Sequence, residues 1–425
     1  MSTENKRSAL LHSEDWVSVW LGFGLIAMVL LGFRPDMPSF GWDAGSVGKA
    51  FSTFNVQSSF VLGAVFIMAS VCGIALMGGR LVAYMTGFPL IFMLAWASQW
   101  LGGNAGIKAW GISYVIFALL IGLLISNTVG VPEWLKPAIR TEYYIKAGLV
   151  LLGSNIIFQE ILRAGFLGIL QALLVIVVVW YACFWLARKL RVDDEFAVII
   201  ATAVSVCGVS AAIAACGAIQ GDRKKLSYTT SLVLIVAAPM MLIMPWIVTT
   251  AGIPEAVGGA WIGGTIDTTA AVVAAGEMLG DSAANAAVIV KLSQNAMLGI
   301  TAFLLSLWWS YRDKPEGVER PSASVIWERF PKFVLGFMLA SLLFSFLVAP
   351  DVVTETKALM KGLRTWWFAL AFVCIGLETR FAELFGMDDG RPALAFIGAQ
   401  AINVVWTLLI AYLVFGGIVF PAPQL

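Results

Sequence analysis

Charge is what this chain has least of. Only 12% of its 425 residues are charged, the net charge is +1, and 60% are hydrophobic. A water-soluble protein of this length needs more polar surface than that to cover its core. A nucleic-acid partner is excluded too, because phosphate backbones are met by concentrated basic surface. Histidine is nearly absent. Its single copy, His12, stands in the polar N-terminal tail, which rules out multi-histidine metal sites and a buried His general base. The five cysteines, Cys72, Cys183, Cys207, Cys216 and Cys374, fall inside apolar segments without pairing or metal spacing. They read as small buried side chains. No GxxxxGK[ST] phosphate loop, no metal-ligand cluster and no soluble signalling domain is present, so no enzymatic activity and no cofactor are expected. Residues 1–14 hold no apolar region with a cleavage site, and no removable signal peptide is expected.

What the chain has instead is long apolar runs, each able to cross about 30 Å of hydrocarbon. Candidate spans cover 16–33, 59–79, 81–101, 110–130, 142–160, 165–188, 195–219, 227–250, 258–279, 283–309, 327–349, 365–385 and 392–419. The expected fold class is therefore an all-α polytopic membrane protein with about 13 transmembrane segments. Trp16, Trp100, Trp110, Trp134, Trp261, Trp308, Trp309, Trp327, Trp366 and Trp367 fall near span ends and read as interfacial anchors. The loop-by-loop count of Lys and Arg favours a cytoplasmic N-terminus. One conflict remains. Arg188-Lys189-Arg191 and Arg223-Lys224-Lys225 would lie on opposite sides of a single span, unless 195–219 or 258–279 is re-entrant.

Two stretches echo each other at a shift of 59 residues. Val206-Cys207-Gly208-Val209-Ser210-Ala211-Ala212 runs on to Gly221-Asp222, and Thr265-Ile266-Asp267-Thr268-Thr269-Ala270-Ala271 runs on to Gly280-Asp281. Ser210 meets Thr269, Gly217 meets Gly276, and both copies put Gly, Ser or Thr where a spanning helix would carry Leu or Val. Paired segments interrupted in this way point to a transporter binding site made of two discontinuous helices. Small residues also let helices pack closely, which is the plainer account of one copy alone. A second echo, Leu152 to Glu160 against Ile375 to Glu383, aligns Gly, Phe and Glu and sets Asn155 opposite Glu378.

Ionisable groups inside a membrane are costly and mark functional positions by default. Asp267, followed by Thr268 and Thr269, is expected to carry a coupling Na⁺ or H⁺. Its plainer reading is a helix cap. Lys291 needs a partner, for which Asp267 or Glu277 is the natural counter-ion. Ser293, Gln294 and Asn295 extend the polar turn beyond Lys291. Ser205, Cys207, Gly208 and Ser210 at a helix break would offer backbone N–H groups to an anion. The expected substrate-binding set is Ser205, Cys207, Gly208, Ser210, Thr268, Thr269, Lys291, Gln294 and Asn295. The expected ion-coupling set is Asp267, Glu277, Asn155 and Glu378. For Asn155 and Glu378, together with Gln159, Glu160 and Arg380, an interfacial helix end is the competing account.

Several stretches resemble the family of bacterial membrane proteins labelled sulfate exporters, which is grouped with the bile-acid-symporter and cation/proton-antiporter-like superfamily. They are Gly148-Leu149-Val150-Leu151-Leu152-Gly153, Cys207-Gly208-Val209-Ser210-Ala211-Ala212-Ile213-Ala214-Ala215, Val272-Val273-Ala274-Ala275-Gly276, Val290-Lys291-Leu292 and Phe330-Pro331-Lys332-Phe333-Val334-Leu335-Gly336-Phe337. The resemblance covers residues 110 to 420 or so and implies inverted repeats with two crossing discontinuous helices. It implies a secondary transporter of sulfate, a sulfonate or a carboxylate in the cytoplasmic (inner) membrane, with 106–425 as transporter core and 1–105 as additional segments. The partners implied are the lipid bilayer and a small anion, and a homodimer is compatible with the sequence. Gln294 departs from the pattern, since Arg or Lys is expected three residues past Lys291. That departure weakens charge compensation for a doubly charged anion. A cation/proton antiporter of the same fold, with Asp267 as ion carrier, is the alternative.

Overall fold

Apolar runs with few breakers leave the backbone to satisfy itself, and in hydrocarbon the α-helix does so within one segment. The computed structural model describes residues 12–43, 45–46, 48, 51–109, 112–312, 323–380 and 390–423, and among them there is no β-strand. The expected anchor Trp110, and Phe381 and Glu383 of the second echo, lie outside the described residues. The longer helices are α1 (Glu14–Leu30), α2 (Thr53–Leu76), α3 (Leu81–Gly102), α4 (Tyr114–Thr128), α5 (Thr141–Gly153) and α6 (Phe158–Lys189). They continue with α7 (Asp194–Ser205), α8 (Val209–Ile219), α9 (Arg223–Thr250), α10 (Glu255–Thr265), α11 (Thr269–Leu279) and α12 (Asp281–Ala296). The last four are α13 (Leu298–Arg312), α14 (Lys332–Leu342), α15 (Pro350–Glu378) and α16 (Arg391–Phe415). Seven segments among the described residues are long and apolar enough to cross a membrane, with α12 and α13 counted as one. The protein is thus an all-α polytopic membrane protein.

The chain forms two compact units, each assembled from two stretches. One holds residues 1–158 and 332–380. Its centre is α15, packed against α4 and α5, with α1 and α14 against α5. Glycine sets the closest approach there. A Cβ on Gly122 would lie 2.5 Å from the Val373 carbonyl oxygen, and one on Gly376 would lie 2.5 Å from that of Leu119. Trp367, fully buried, stacks on Phe66 at 4.6 Å between ring centres.

The other unit holds residues 159–331 and 381–425. Here both expected helix breaks are present. The first separates α7 from α8 at Val206–Gly208, and the second separates α10 from α11 at Ile266–Thr268. The second halves start at Val209 and Thr269, so the structural repeat is 60 residues, one more than the best sequence alignment.

Each broken helix turns back on itself. At the neck of the first, Glu195 in α7 accepts the Asp222 main-chain N–H at 2.5 Å, and Lys225 in α9 bonds both Asp193 at 2.7 Å and Glu195 at 3.1 Å. The start of α7 therefore lies beside the end of α8. A straight pair of 26 residues would separate those ends by about 39 Å. The second hairpin is set by its packing on α12. A Cβ on Gly259 would sit 2.2 Å from the Ala283 carbonyl oxygen, and one on Gly263 would sit 2.4 Å from that of Ala287. Both contacts advance four residues in the same sense, so α10 and α12 run parallel. Gly280, at φ +120°, turns the chain from α11 straight into α12, which makes α11 antiparallel to both. These are re-entrant hairpins joined at their tips. The resemblance implied two crossing discontinuous helices; both are discontinuous, and each turns back at its break. With 195–219 re-entrant, Arg188-Lys189-Arg191 and Arg223-Lys224-Lys225 fall at the same end of the unit, and the charge conflict disappears.

Candidate functional site

The two tips meet. Gly208 adopts φ +64°, and a Cβ there would lie 2.7 Å from Val233 Cγ1 and 3.2 Å from Asp267 Cβ. Both backbone conformation and space therefore require glycine at this point. In the second tip Ile266 and Thr268 are extended, and the Thr268 hydroxyl accepts the Ala271 N–H at 3.3 Å. The capping role that competed with the ion-carrier reading of Asp267 is filled by its neighbour Thr268.

A helix that stops inside a protein leaves its last carbonyls without partners and carries roughly half a negative charge there. Lys291, on α12 and 1% exposed, meets both stops at once. Its ammonium donates to the carbonyl oxygens of Val206 at 3.0 Å and Ile266 at 2.9 Å, and to Gln294 Oε1 at 3.0 Å. Three donors are all a lysine has. Gln294, one turn on, donates to the carbonyls of Ser205 and Gly264, both at 3.2 Å. One pair of side chains thus closes the C-terminal ends of both half-helices. The sequence suggested a carboxylate partner for Lys291; its hydrogen bonds go to two main-chain carbonyls and an amide.

The N-terminal ends of α8 and α11 are left open. The main-chain N–H groups of Val209, Ser210, Ala211, Thr269 and Ala270 make no hydrogen bond to another described residue. Ser210 is exposed, Thr268 is half-buried and Thr269 is buried. The Thr269 hydroxyl accepts from Asn295 Nδ2 at 3.0 Å. Asp267 is 3% exposed, and its Oδ2 has no hydrogen-bond partner among the described residues. The same holds for Asn295 Oδ1. Ser205 and Cys207 are buried at the first stop, and Glu277 is half-buried in the last turn of α11. The structure therefore gathers Ser205, Cys207, Gly208, Asp267, Thr268, Thr269, Lys291, Gln294 and Asn295 around the tips.

Asn155 and Glu378 belong to the other unit. Glu378 ends α15 and accepts the Thr141 hydroxyl at 2.9 Å. Asn155 follows α5 in a turn, half-buried, with Nδ2 unbonded to any described residue.

Several polar residues near the tips escaped the sequence reading. Gln400 and Asn403 on α16 both donate to the Thr265 carbonyl, at 2.8 and 3.3 Å, and Thr407 donates to Asn403 Oδ1 at 2.6 Å. Gln171 on α6 donates to the Ala260 carbonyl at 2.7 Å. The signal was available for α16, since positions i, i+3 and i+7 share one helix face. In the first unit Lys146 pairs with Glu14 at 2.7 Å and Asp15 at 3.0 Å, which ties α5 to α1. Lys146 lies one turn into an apolar helix, and that placement alone marked it.

Fold and site together define a polytopic helical membrane protein with two hairpin tips sealed by a buried lysine. The chain belongs to the family described as Conserved hypothetical protein 698, whose model matches residues 86–393. It is similar to a UPF0324 membrane protein of Rhodopirellula baltica, 42% identical over 386 residues, which cover 88% of this chain and 70% of that one. A UPF0324 membrane protein of Nitratidesulfovibrio vulgaris is 38% identical over 87% of this chain, and the chain spans 66% of that relative's own length. A UPF0324 inner membrane protein of Salmonella typhi is 26% identical over 77% of this chain and 96% of its own. No solved structure matches.

Proposed function

We propose that this protein is a secondary active transporter of a small anion, of the sulfate, sulfonate or carboxylate class, coupled to H⁺ or Na⁺. One observation carries this reading. Two half-helix N-termini meet with their N–H groups unengaged, while the C-terminal carbonyls beside them are already satisfied by Lys291 and Gln294. Unengaged N–H groups at a helix start attract anions through both hydrogen bonding and the helix dipole. Val209, Ser210, Thr268 and Thr269 would contact the anion, and Asp267 would take the coupling cation. Glu277, Asn155 and Glu378 belong to the same proposal as residues of the ion path. So do the sulfate exporter label, the superfamily placement, the core at 106–425, the homodimer and the absence of enzymatic activity. A cytoplasmic (inner) membrane location is supported by the name of the Salmonella relative.

The test is flux in proteoliposomes of the purified chain, with radiolabelled sulfate, a sulfonate, a carboxylate and Na⁺ offered separately. Anion flux that depends on a Na⁺ or pH gradient is the expected outcome. A second reading, cation/proton antiport, is favoured by the buried, unbonded carboxylate of Asp267. Na⁺ flux that runs without any transported anion would establish it in place of the first.

A further inference from the structure

The tips offer two kinds of unmet hydrogen-bonding group, and a simple oxyanion satisfies only one. The donors are the five N–H groups at the starts of α8 and α11. The acceptors are Asp267 Oδ2 and Asn295 Oδ1, both on side chains more than nine-tenths buried and both without a partner among the described residues. Acceptors and donors share the tips. Asp267 Cβ lies 3.2 Å from where a Cβ of Gly208, the residue that opens α8, would sit. Asn295 bonds the hydroxyl of Thr269, the first residue of α11. Lys291 makes no hydrogen bond to Asp267, because its three donors go to Val206, Ile266 and Gln294.

Building on the anion-transporter reading, we propose that the substrate is a small zwitterion whose own ammonium takes the place at Asp267 given above to a free coupling cation. Its anionic head lies on the N–H groups of α8 and α11, and its own ammonium lies on Asp267 and Asn295. A doubly charged oxyanion such as sulfate brings acceptors only. It would meet the helix starts, set two charges against the Asp267 carboxylate and leave both orphan acceptors dry. An ammonium on the same molecule as the anion meets them and cancels the carboxylate charge. Burial makes the pairing matter, since an unpaired buried carboxylate is costly and a paired one is not.

The test is calorimetric titration of the full chain in lipid nanodiscs with matched ligand pairs. In the first pair 2-aminoethanesulfonate is compared with ethanesulfonate, and in the second β-alanine is compared with propionate. Sulfate is the third arm. The expected result is that at least one amino ligand binds tenfold or more tighter than its plain partner and tighter than sulfate. In Asp267→Asn the ratio should fall to within about twofold. Equal affinities within both pairs in the wild type overturn the inference, as does a preference that survives Asp267→Asn. If Asn at 267 prevents folding, the wild-type ratios decide alone, with a Na⁺ series beside them. A plain anion that matches its amino partner once Na⁺ is added shows that Asp267 takes the free ion, which removes the zwitterion and leaves the anion transporter standing. If no anion of either pair binds and sulfate does not bind, the anion-transporter reading itself fails.

Discussion

A buried carboxylate without a hydrogen bond and a buried ammonium with three set the chemistry of the tips. Desolvating either charge is expensive unless partners restore what water gave. Lys291 has its partners in place, so its role is to hold the two stops together. Lys291→Met would leave the Val206 and Ile266 carbonyls buried without a donor, at about 1–3 kcal/mol for each. Thermal unfolding in detergent should shift down accordingly. Anion binding should weaken alike for monoanions and dianions, because no Lys291 donor is left over for substrate. A loss confined to dianions would place the ammonium on the substrate. Asp267 is in the opposite position, with no bond to lose. Asp267→Asn is nearly isosteric and should fold, insert and melt as the wild type does, while coupled flux is abolished. Normal flux in this variant across pH 5 to 9 would remove Asp267 from the ion path.

Among the elements, the hairpin tips and necks carry the most specific requirements. Gly208→Ala imposes a side chain at φ +64° against Val233 and Asp267. The backbone term alone costs about 1–3 kcal/mol, since φ +64° with ψ −115° is a conformation that glycine alone adopts readily, and the 2.7 Å contact adds to it. Lower thermal stability together with lost anion binding is the expected pair of effects; a variant that melts and binds normally would mean the tip relaxes freely. The neck is an electrostatic clasp. Burial raises the Asp193 carboxyl, but bonds from Lys225 and the Phe196 N–H outweigh it and hold Asp193 below its ordinary range. Stability from that shift is present above the ordinary carboxylate range and is lost as pH falls through the lowered value. Asp193→Asn should therefore erase part of the acid-side loss of stability of the wild type, measured as melting temperature against pH.

At the scale of the molecule, two re-entrant hairpins change the topology that hydropathy alone suggests. Arg191 precedes the first hairpin and Arg223 follows it. Single cysteines at those two positions, in a chain whose five native cysteines are replaced, should react with an impermeant thiol reagent from the same side of the membrane. Labelling from opposite sides would mean that 195–219 spans, and the neck bonds of Glu195 and Lys225 would not hold in the bilayer. The two-unit arrangement also shows how the N-terminal spans are used. Through the Lys146 ion pairs and the Asp15 carboxylate, which accepts the Lys332 N–H at 2.9 Å, α1 is fastened to α5 and α14.

Much of this is legible in the sequence alone. Low charge and recurrent unbroken apolar runs require helices in a bilayer, because the other structure that satisfies the backbone there, a closed β-barrel, needs alternating apolar and polar residues. The Gly, Ser and Thr of the 59-residue echo marked both breaks to within about three residues, since local conformational freedom is written in local residue types. Asp267, Lys291, Gln294 and Asn295 stood out for the same reason, as polar groups in apolar company. What the tertiary structure decided is where those groups point. A hairpin and a straight broken helix share one hydrophobic pattern, and tertiary contacts separate them: the neck bonds of Glu195 and Lys225 in the first hairpin and the packing of Gly259 and Gly263 on α12 in the second. Lys291 reads as half of an ion pair because charge is visible in a sequence and main-chain carbonyls are not. Its true partners lie 85 and 25 residues away, at helix ends that exist only once both hairpins have folded.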